Sequence, residues 1–404
     1  MDKSNIMTSA LLILILLPSF LMVGLSLPSL ATGIIISSAI ILFVQLTKKL
    51  EAVIAKSYLW ACVISGLWIF ANPISIENSV HAKQVLSLAA ILICGFAVAS
   101  LFKSRYKNLD KTINVLFWIL LAIGSIGAFD LFRLGNYQLL NRPLPPFSEP
   151  SHFAIVFIPI ACSFALLSSK RLRLFICLAC FALAISLPNL TLLAGTILIS
   201  IVALSSRQVI IFLGITCIIG ITLVSSDLRL LEYFLNRTFT SENENISRLV
   251  YMQGWESMVS AIQFSNGLGV GFQNLGIEPP GQSTLLLDNL TESQLNRSDG
   301  SFLAAKLIGE FGLIGVAAVI YATTLSIRSG FFLRKHIDKL FGQASDITSL
   351  CFTYTLLLEL FVRGTGYFSP TLLITLFLAP KAIRALKRTV RKIKINPSHK
   401  IIMR

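Results

Sequence analysis

One apolar run follows another along this chain of 404 residues, and each is close to the length that a lipid bilayer demands. The runs lie near 7 to 25, 30 to 46, 58 to 75, 84 to 102, 113 to 129, 152 to 168, 173 to 187, 189 to 204, 208 to 225, 301 to 327, 347 to 362 and 366 to 380. Inside hydrocarbon every backbone donor and acceptor needs a partner within its own segment, which leaves helices as the economical solution for runs of this kind. The pattern predicts an all-α polytopic membrane protein with about twelve transmembrane helices. Composition agrees, since 55% hydrophobic and 13% charged residues with a mean hydropathy of +0.78 lie outside the range of soluble globular domains.

Charge placement gives the expected orientation. With the N-terminus inside, the inner connections carry Lys48, Lys49 and Lys56, then Lys103, Arg105, Lys107 and Lys111, then Lys170, Arg171 and Arg173, then Arg207, and finally Arg328, Arg334, Lys335 and Lys339. The segment after residue 380 is basic throughout and holds no acid, so most of the 34 Lys and Arg residues fall on one side. Both termini are therefore expected in the cytoplasm. The net charge of +15 reflects this topology plus attraction to anionic lipid, and nothing supports nucleic acid as a partner. The first apolar run has Lys3 ahead of it and a cleavage-like Ser29, Leu30, Ala31 after it, but removing it would destroy the alternation, so it is read as a retained helix. All seven cysteines fall in apolar runs, which implies no disulfide framework, and the Cys177/Cys180 pair is read as small-residue packing.

No internal repeat is visible. The chain divides into helices 1 to 9 over residues 1–225, a large outward loop over 226–300, helices 10 to 12 over 301–380 and a basic cytoplasmic tail over 381–404. Within the loop, Leu228, Leu231, Phe234 and Leu235 form one stripe, as expected of an amphipathic helix on the membrane surface. Leu249, Met252, Trp255 and Val259 continue at helical spacing, and glycines at 267, 269, 271 and 276 then break the pattern. The glycine cluster lacks the preceding strand and following lysine of a nucleotide loop.

A charge within a membrane is costly, so the few ionisable residues at span ends are functional candidates. Arg142, Glu149 and His152 occur together in NRPLPPFSEPSHF, where prolines stiffen the approach to the sixth run and could present a carboxylate and an imidazole at the mouth of a cavity. The plainer reading is a stiff turn whose Glu149 favours the following helix N-terminus. Arg229, Arg237, Arg248 and Arg297 lie in the loop, and Arg363 ends the eleventh run. Their planar guanidinium forks suit phosphate oxygens, as a lipid diphosphate would require. Glu359 with Arg363, and Lys306 with Glu310, stand four apart and could simply neutralise each other. No outward cluster has metal-ligand spacing, so no metal or other cofactor is expected.

FSEPSHFA at 147 to 154, SRLVYMQGW followed by NGLGVG in the loop, and DGSFLAAKLIGEFGLIG entering the tenth run resemble bacterial O-antigen polymerases of the Wzy type, within the group that also holds O-antigen ligases. The resemblance implies a metal-independent glycosyltransferase at the periplasmic face of the bacterial inner membrane. It would move the growing glycan from undecaprenyl diphosphate onto an incoming lipid-linked repeat unit. Implied partners are the undecaprenyl-diphosphate-linked oligosaccharide, membrane lipid and a chain-length-regulating co-polymerase. Arg142, Arg248, Arg297 and Arg363 would hold the diphosphate, and the base would come from Glu149, His152 or Asp299. Ligases of the group place a histidine where this chain has Arg297, Ser298, Asp299 and Gly300, which favours polymerase over ligase. A flippase or transporter is the alternative of another class, but it would place ionisable groups near the bilayer midplane, commonly in repeated halves.

Overall fold

The computed structural model describes residues 3–46, 63–67, 69, 78–103, 109–129, 144–226, 245–292, 295–336 and 344–395. Among these residues the regular structure is helical, with two isolated β-bridges at Leu144/Phe147 and Thr365/Tyr367. The helices are α1 (Lys3–Gly24), α2 (Leu30–Leu46), α3 (Asn78–Lys103), α4 (Leu109–Ala128), α5 (Pro150–Leu167), α6 (Lys170–Ser186), α7 (Leu190–Ala203), α8 (Ser206–Ser226), α9 (Ile246–Phe264), α10 (Gln282–Thr291), α11 (Leu303–His336), α12 (Ala344–Phe361) and α13 (Pro370–Ile395). Five spans, Ile6–Gly24, Ala82–Phe102, Leu109–Ala128, Pro150–Leu167 and Leu303–His336, are long and apolar enough to cross a membrane. The chain is thus an all-α protein of membrane character. The expected third run, 58 to 75, and the expected amphipathic helix near 227 to 239 lie largely or wholly outside the described residues.

The bundle is built around α5, in which every residue from Phe153 to Leu166 is buried. Its sequence is apolar all round, so it can be covered on every side. Helix α4 instead buries one stripe, through Leu109, Ile113, Leu116, Phe117, Leu120 and Gly124. Phe117 stacks on Phe157 and Phe164 at ring distances of 5.9 and 4.3 Å, joining the two helices. The break at Leu187, Pro188 and Asn189 separates two real helices, because the Asn189 side chain caps α7 by accepting from the Leu192 amide at 2.8 Å. At the opposite end of α5, buried Arg173 donates to the Ser168 and Leu166 carbonyls, which the helix terminus leaves without intrahelical donors. Cys177 and Cys180 are buried free thiols in α6.

Helix α9 forms where the spacing predicts, and its buried face takes in only part of the apolar stripe. Leu249, Val250, Gln253, Gly254, Ser257 and Ala261 face inward, while Met252 and Val259 are exposed. The cause is a close approach: a Cβ on Gly254 would lie 2.7 Å from the Gly300 carbonyl, so only the small-residue side of α9 fits against the 300–302 turn.

The tenth apolar run departs from expectation as well. Gly312 breaks α11 with φ 56° and ψ −130°, a region open to glycine and little else. The second piece, 313–336, is about 36 Å long at 1.5 Å per residue and can cross a bilayer by itself. The piece 303–311 is then free to belong to the layer that carries the long loop. The backbone groups exposed by the break are met by the glycine turn: Leu313 N donates to Gly267 O at 3.1 Å, Val270 N to Gly309 O at 2.9 Å and Gly271 N to Glu310 O at 3.0 Å. These glycines bring backbone against a broken helix. A Cβ at 312 would meet Gly267 O at 2.1 Å. Gly312→Ala should therefore lower the melting temperature in detergent by several degrees, since the backbone strain alone costs roughly 1–3 kcal/mol. An unchanged melting temperature would mean that the break is not held as described.

Candidate functional site

The stretch ahead of α5 folds as the prolines suggest, with Phe147 N donating to Leu144 O at 2.7 Å in a tight turn and Pro150 opening the helix. Glu149 is the N-cap residue by position, but its side chain makes no cap hydrogen bond. It turns instead to Arg363, whose Nη2 donates to Glu149 Oε1 at 2.7 Å. Glu149 thus stands at the helix N-terminus, as the plainer reading has it, while its side chain is engaged by Arg363. His152, one turn into α5, places Nε2 3.2 Å from the same Oε1 and Nδ1 2.8 Å from Ser148 Oγ. Ser151 Oγ also donates to Glu149 Oε1, at 2.5 Å. Among the described residues the second oxygen, Oε2, has no hydrogen-bond partner.

The spacing leaves open a pairing of Arg363 with Glu359. The pairing does not form, because α12 ends at Phe361 and the chain has turned away before position 363. Glu359 is buried and accepts from the Thr371 hydroxyl. Arg363 keeps Nε buried without a partner, and Thr365 Oγ1 nearby is in the same condition. Ser19, Phe147, His152, Thr365 and Ser369 line one small cleft here. Buried donors left open are the groups that a ligand's oxygens would satisfy.

Asp299 lies on the turn before α11 and belongs to the same neighbourhood. Its Oδ1 would be 3.4 Å from a Cβ at Gly366, and its charge acts on His152. Glu149, His152, Asp299 and Arg363, remote in sequence, are thus brought together. Arg248 stands in the first turn of α9, half-buried, and among the described residues has no acidic partner. Its helix joins the cluster through Ser301, whose hydroxyl donates to Val250 O and whose carbonyl accepts from Gly364 N at 2.9 Å. Arg297 is diverted: it donates to Glu278 O at 3.2 Å and does not enter the cluster. Arg142 lies outside the described residues.

Sequence reasoning passed over Ser148, Ser151 and Tyr367. The serines could have been found from their place on either side of Glu149 in FSEPSH. Tyr367 carries no local signal, since its partner Glu310 is 57 residues away. Lys306 and Glu310 do form the expected pair, at 3.2 Å, but at 1% and 0% exposure it is no solvated helix pair. Among the described residues no group of three or more His, Cys, Asp or Glu could hold a metal ion.

Burial by itself raises the Glu149 carboxyl, but the Arg363 and His152 charges and the hydrogen bonds from Ser151 and Arg363 outweigh it and hold the group down at about 2, against an ordinary 4.5. A depressed carboxylate contributes stability that is present above its unfolded value and lost as pH falls through its folded value. The stability gap between wild type and Glu149→Gln should accordingly stay constant from about pH 5 to pH 8 and close only below about pH 4.5. Thermal melts across that range check this, and a gap that closed near neutral pH would contradict it. Compared with family models, with curated proteins and with solved structures, the chain matches none of them.

Proposed function

We propose that this protein is an O-antigen polymerase of the bacterial inner membrane, with about twelve spans, cytoplasmic termini and its site on the periplasmic side. The observation that carries the reading is the Glu149–Arg363–His152 cluster, with Asp299 beside it and Arg248 on the helix packed above. It gathers carboxylate, imidazole and guanidinium groups at helix ends in a chain otherwise poor in charge. The resemblance carried by FSEPSHFA, SRLVYMQGW and DGSFLAAKLIGEFGLIG supplies the substrate class.

In this reading the donor is a glycan on undecaprenyl diphosphate. Arg248 and the open Nε of Arg363 bind the diphosphate and offset the charge that develops on it as the anomeric bond breaks. The N-terminus of α9 adds its partial positive charge to Arg248. The acceptor hydroxyl approaches Glu149 Oε2. A carboxylate held near 2 is too weak a base to remove that proton early, so Glu149 orients the hydroxyl and steadies the imidazole. With Nε2–H donated to the ionised Glu149, neutral His152 has Nδ1 as its acceptor, and Ser148 hands a proton to it while taking one from the acceptor. The leaving group is the lipid diphosphate, so the reaction needs no nucleotide sugar. Arg142 lies outside the described residues, and Arg297 commits one donor to Glu278 O while its other N–H groups remain for the diphosphate.

The decisive experiment gives purified protein lipid-linked repeat units in detergent. Polymer should form there, where no compartment exists to transport across; its absence at every donor tried would count against a polymerase. Loss of the protein in cells should leave core bearing single repeat units on a lipopolysaccharide gel, whereas complete loss of O-antigen points to a ligase. Arg248→Ala and Glu149→Gln should each lower polymer formation at least about tenfold, or roughly 1.4 kcal/mol in the transition state. Near-normal polymer at normal protein level removes that residue from the site.

A further inference from the structure

Beneath the cluster lies a second set of charged groups that touches neither Glu149 nor His152. Lys306 Nζ, on the first piece of α11, is 3.2 Å from Glu310 Oε1 and donates to the Ser298 carbonyl at 2.5 Å. Tyr367 OH donates to Glu310 Oε2 at 2.7 Å, and its ring lies 5.2 Å from the ammonium. The same ring stacks on Phe272 at 5.4 Å. The Lys306 stem also fills the space beside Gly300 and Gly366. Three segments therefore meet on one ammonium group: the turn with Asp299, the half-helix 303–311, and the turn with Arg363.

We infer that Lys306, Glu310 and Tyr367 form a positioning unit, which fixes the Asp299 turn and the 363–367 turn relative to each other and so sets the geometry of the cluster above. A lysine used only for packing needs no carbonyl partner, and this one is pointed at the residue preceding Asp299. Its ammonium draws the Ser298 carbonyl inward, so the peptide that leads into Asp299 has one orientation. Glu310 takes up the charge, and the Tyr367 hydroxyl fixes the carboxylate plane. A buried ion pair of this kind contributes little net stability compared with an apolar pair of equal volume, which points to geometry as its use. The consequence for catalysis rests on the polymerase reading; the positioning itself does not.

The test uses the full-length protein in detergent and separates the two. Lys306→Met alone strands a buried carboxylate and should lower stability, whereas Lys306→Met with Glu310→Gln removes both charges and should restore it. Hydrogen exchange is then read at the Asp299 and Gly364 amides, which donate to Asn296 O and Ser301 O. In the double variant these amides should exchange at least about tenfold faster than in wild type. Polymer formation should fall in kcat with KM for the lipid-linked unit unchanged, because none of the three residues touches substrate. Tyr367→Phe, which keeps the ring and loses only the hydroxyl, should shift both readouts in the same direction by a smaller factor, and it supplies the test if the double variant does not fold. Unchanged exchange in the variant that folds, or activity that recovers along with stability, overturns the proposal. If wild-type protein makes no polymer, the polymerase reading fails and the exchange comparison still decides the positioning role.

Discussion

A helix broken inside an apolar structure leaves backbone donors and acceptors that water cannot serve, and the architecture around α9 follows from how this chain serves them at Gly312. The turn from Gly267 to Gly271 lies across the break and bonds to groups on both sides of it. Only glycine fits at the crossing: a Cβ at Gly269 would lie 2.4 Å from Gly312 N. Once that crossing is made, α9 must leave the turn at a fixed angle, and the 300–302 turn must lie under its small-residue side. Residues 245–292 are thereby part of the folded body of the protein.

The charged groups obey the same economy. Among the described residues, those drawn into the apolar bundle are paired in three places: Glu149 with Arg363, Lys306 with Glu310, Asp346 with Lys381 at 3.7 Å. The pairs differ in what they leave over. Lys306 and Glu310 are enclosed, with their remaining capacity turned to Ser298 and Tyr367. Glu149 and Arg363 are half-exposed and keep Oε2 and Nε uncommitted, which is the state expected of groups that await a substrate.

Much of this is legible in the chain. Runs of bilayer length locate the helices, because hydrophobicity and length are local properties. FSEPSH marks one wall of the site for the same reason, as stiff prolines and polar residues stand out before an apolar helix. Tertiary geometry accounts for the failures. The Glu359/Arg363 spacing leaves a helical pair open as an alternative, and the structure closes it because the helix ends two residues too soon. The apolar spacing along α9 marks the helix but not the small-residue side, Gly254, Ser257 and Ala261, that closeness of approach buries. Gly312 looked like one more small residue in a span, since nothing in its neighbourhood announces a turn arriving from 45 residues earlier. Arg297 and Arg248 look alike in sequence, and the Glu278 carbonyl that takes one donor of Arg297 is visible only in the fold.

The separation of 214 residues between Glu149 and Arg363 sets an order of events during synthesis. Glu149 leaves the ribosome with the front half of the bundle, long before its guanidinium exists. Until α12 has been inserted, that carboxylate has only His152 and the neighbouring serines for company, so water must remain at the mouth of α5 for most of translation. The turn that carries Arg363 is made late, and a chain stalled before residue 363 keeps at the mouth of α5 a carboxylate with no guanidinium to pair with.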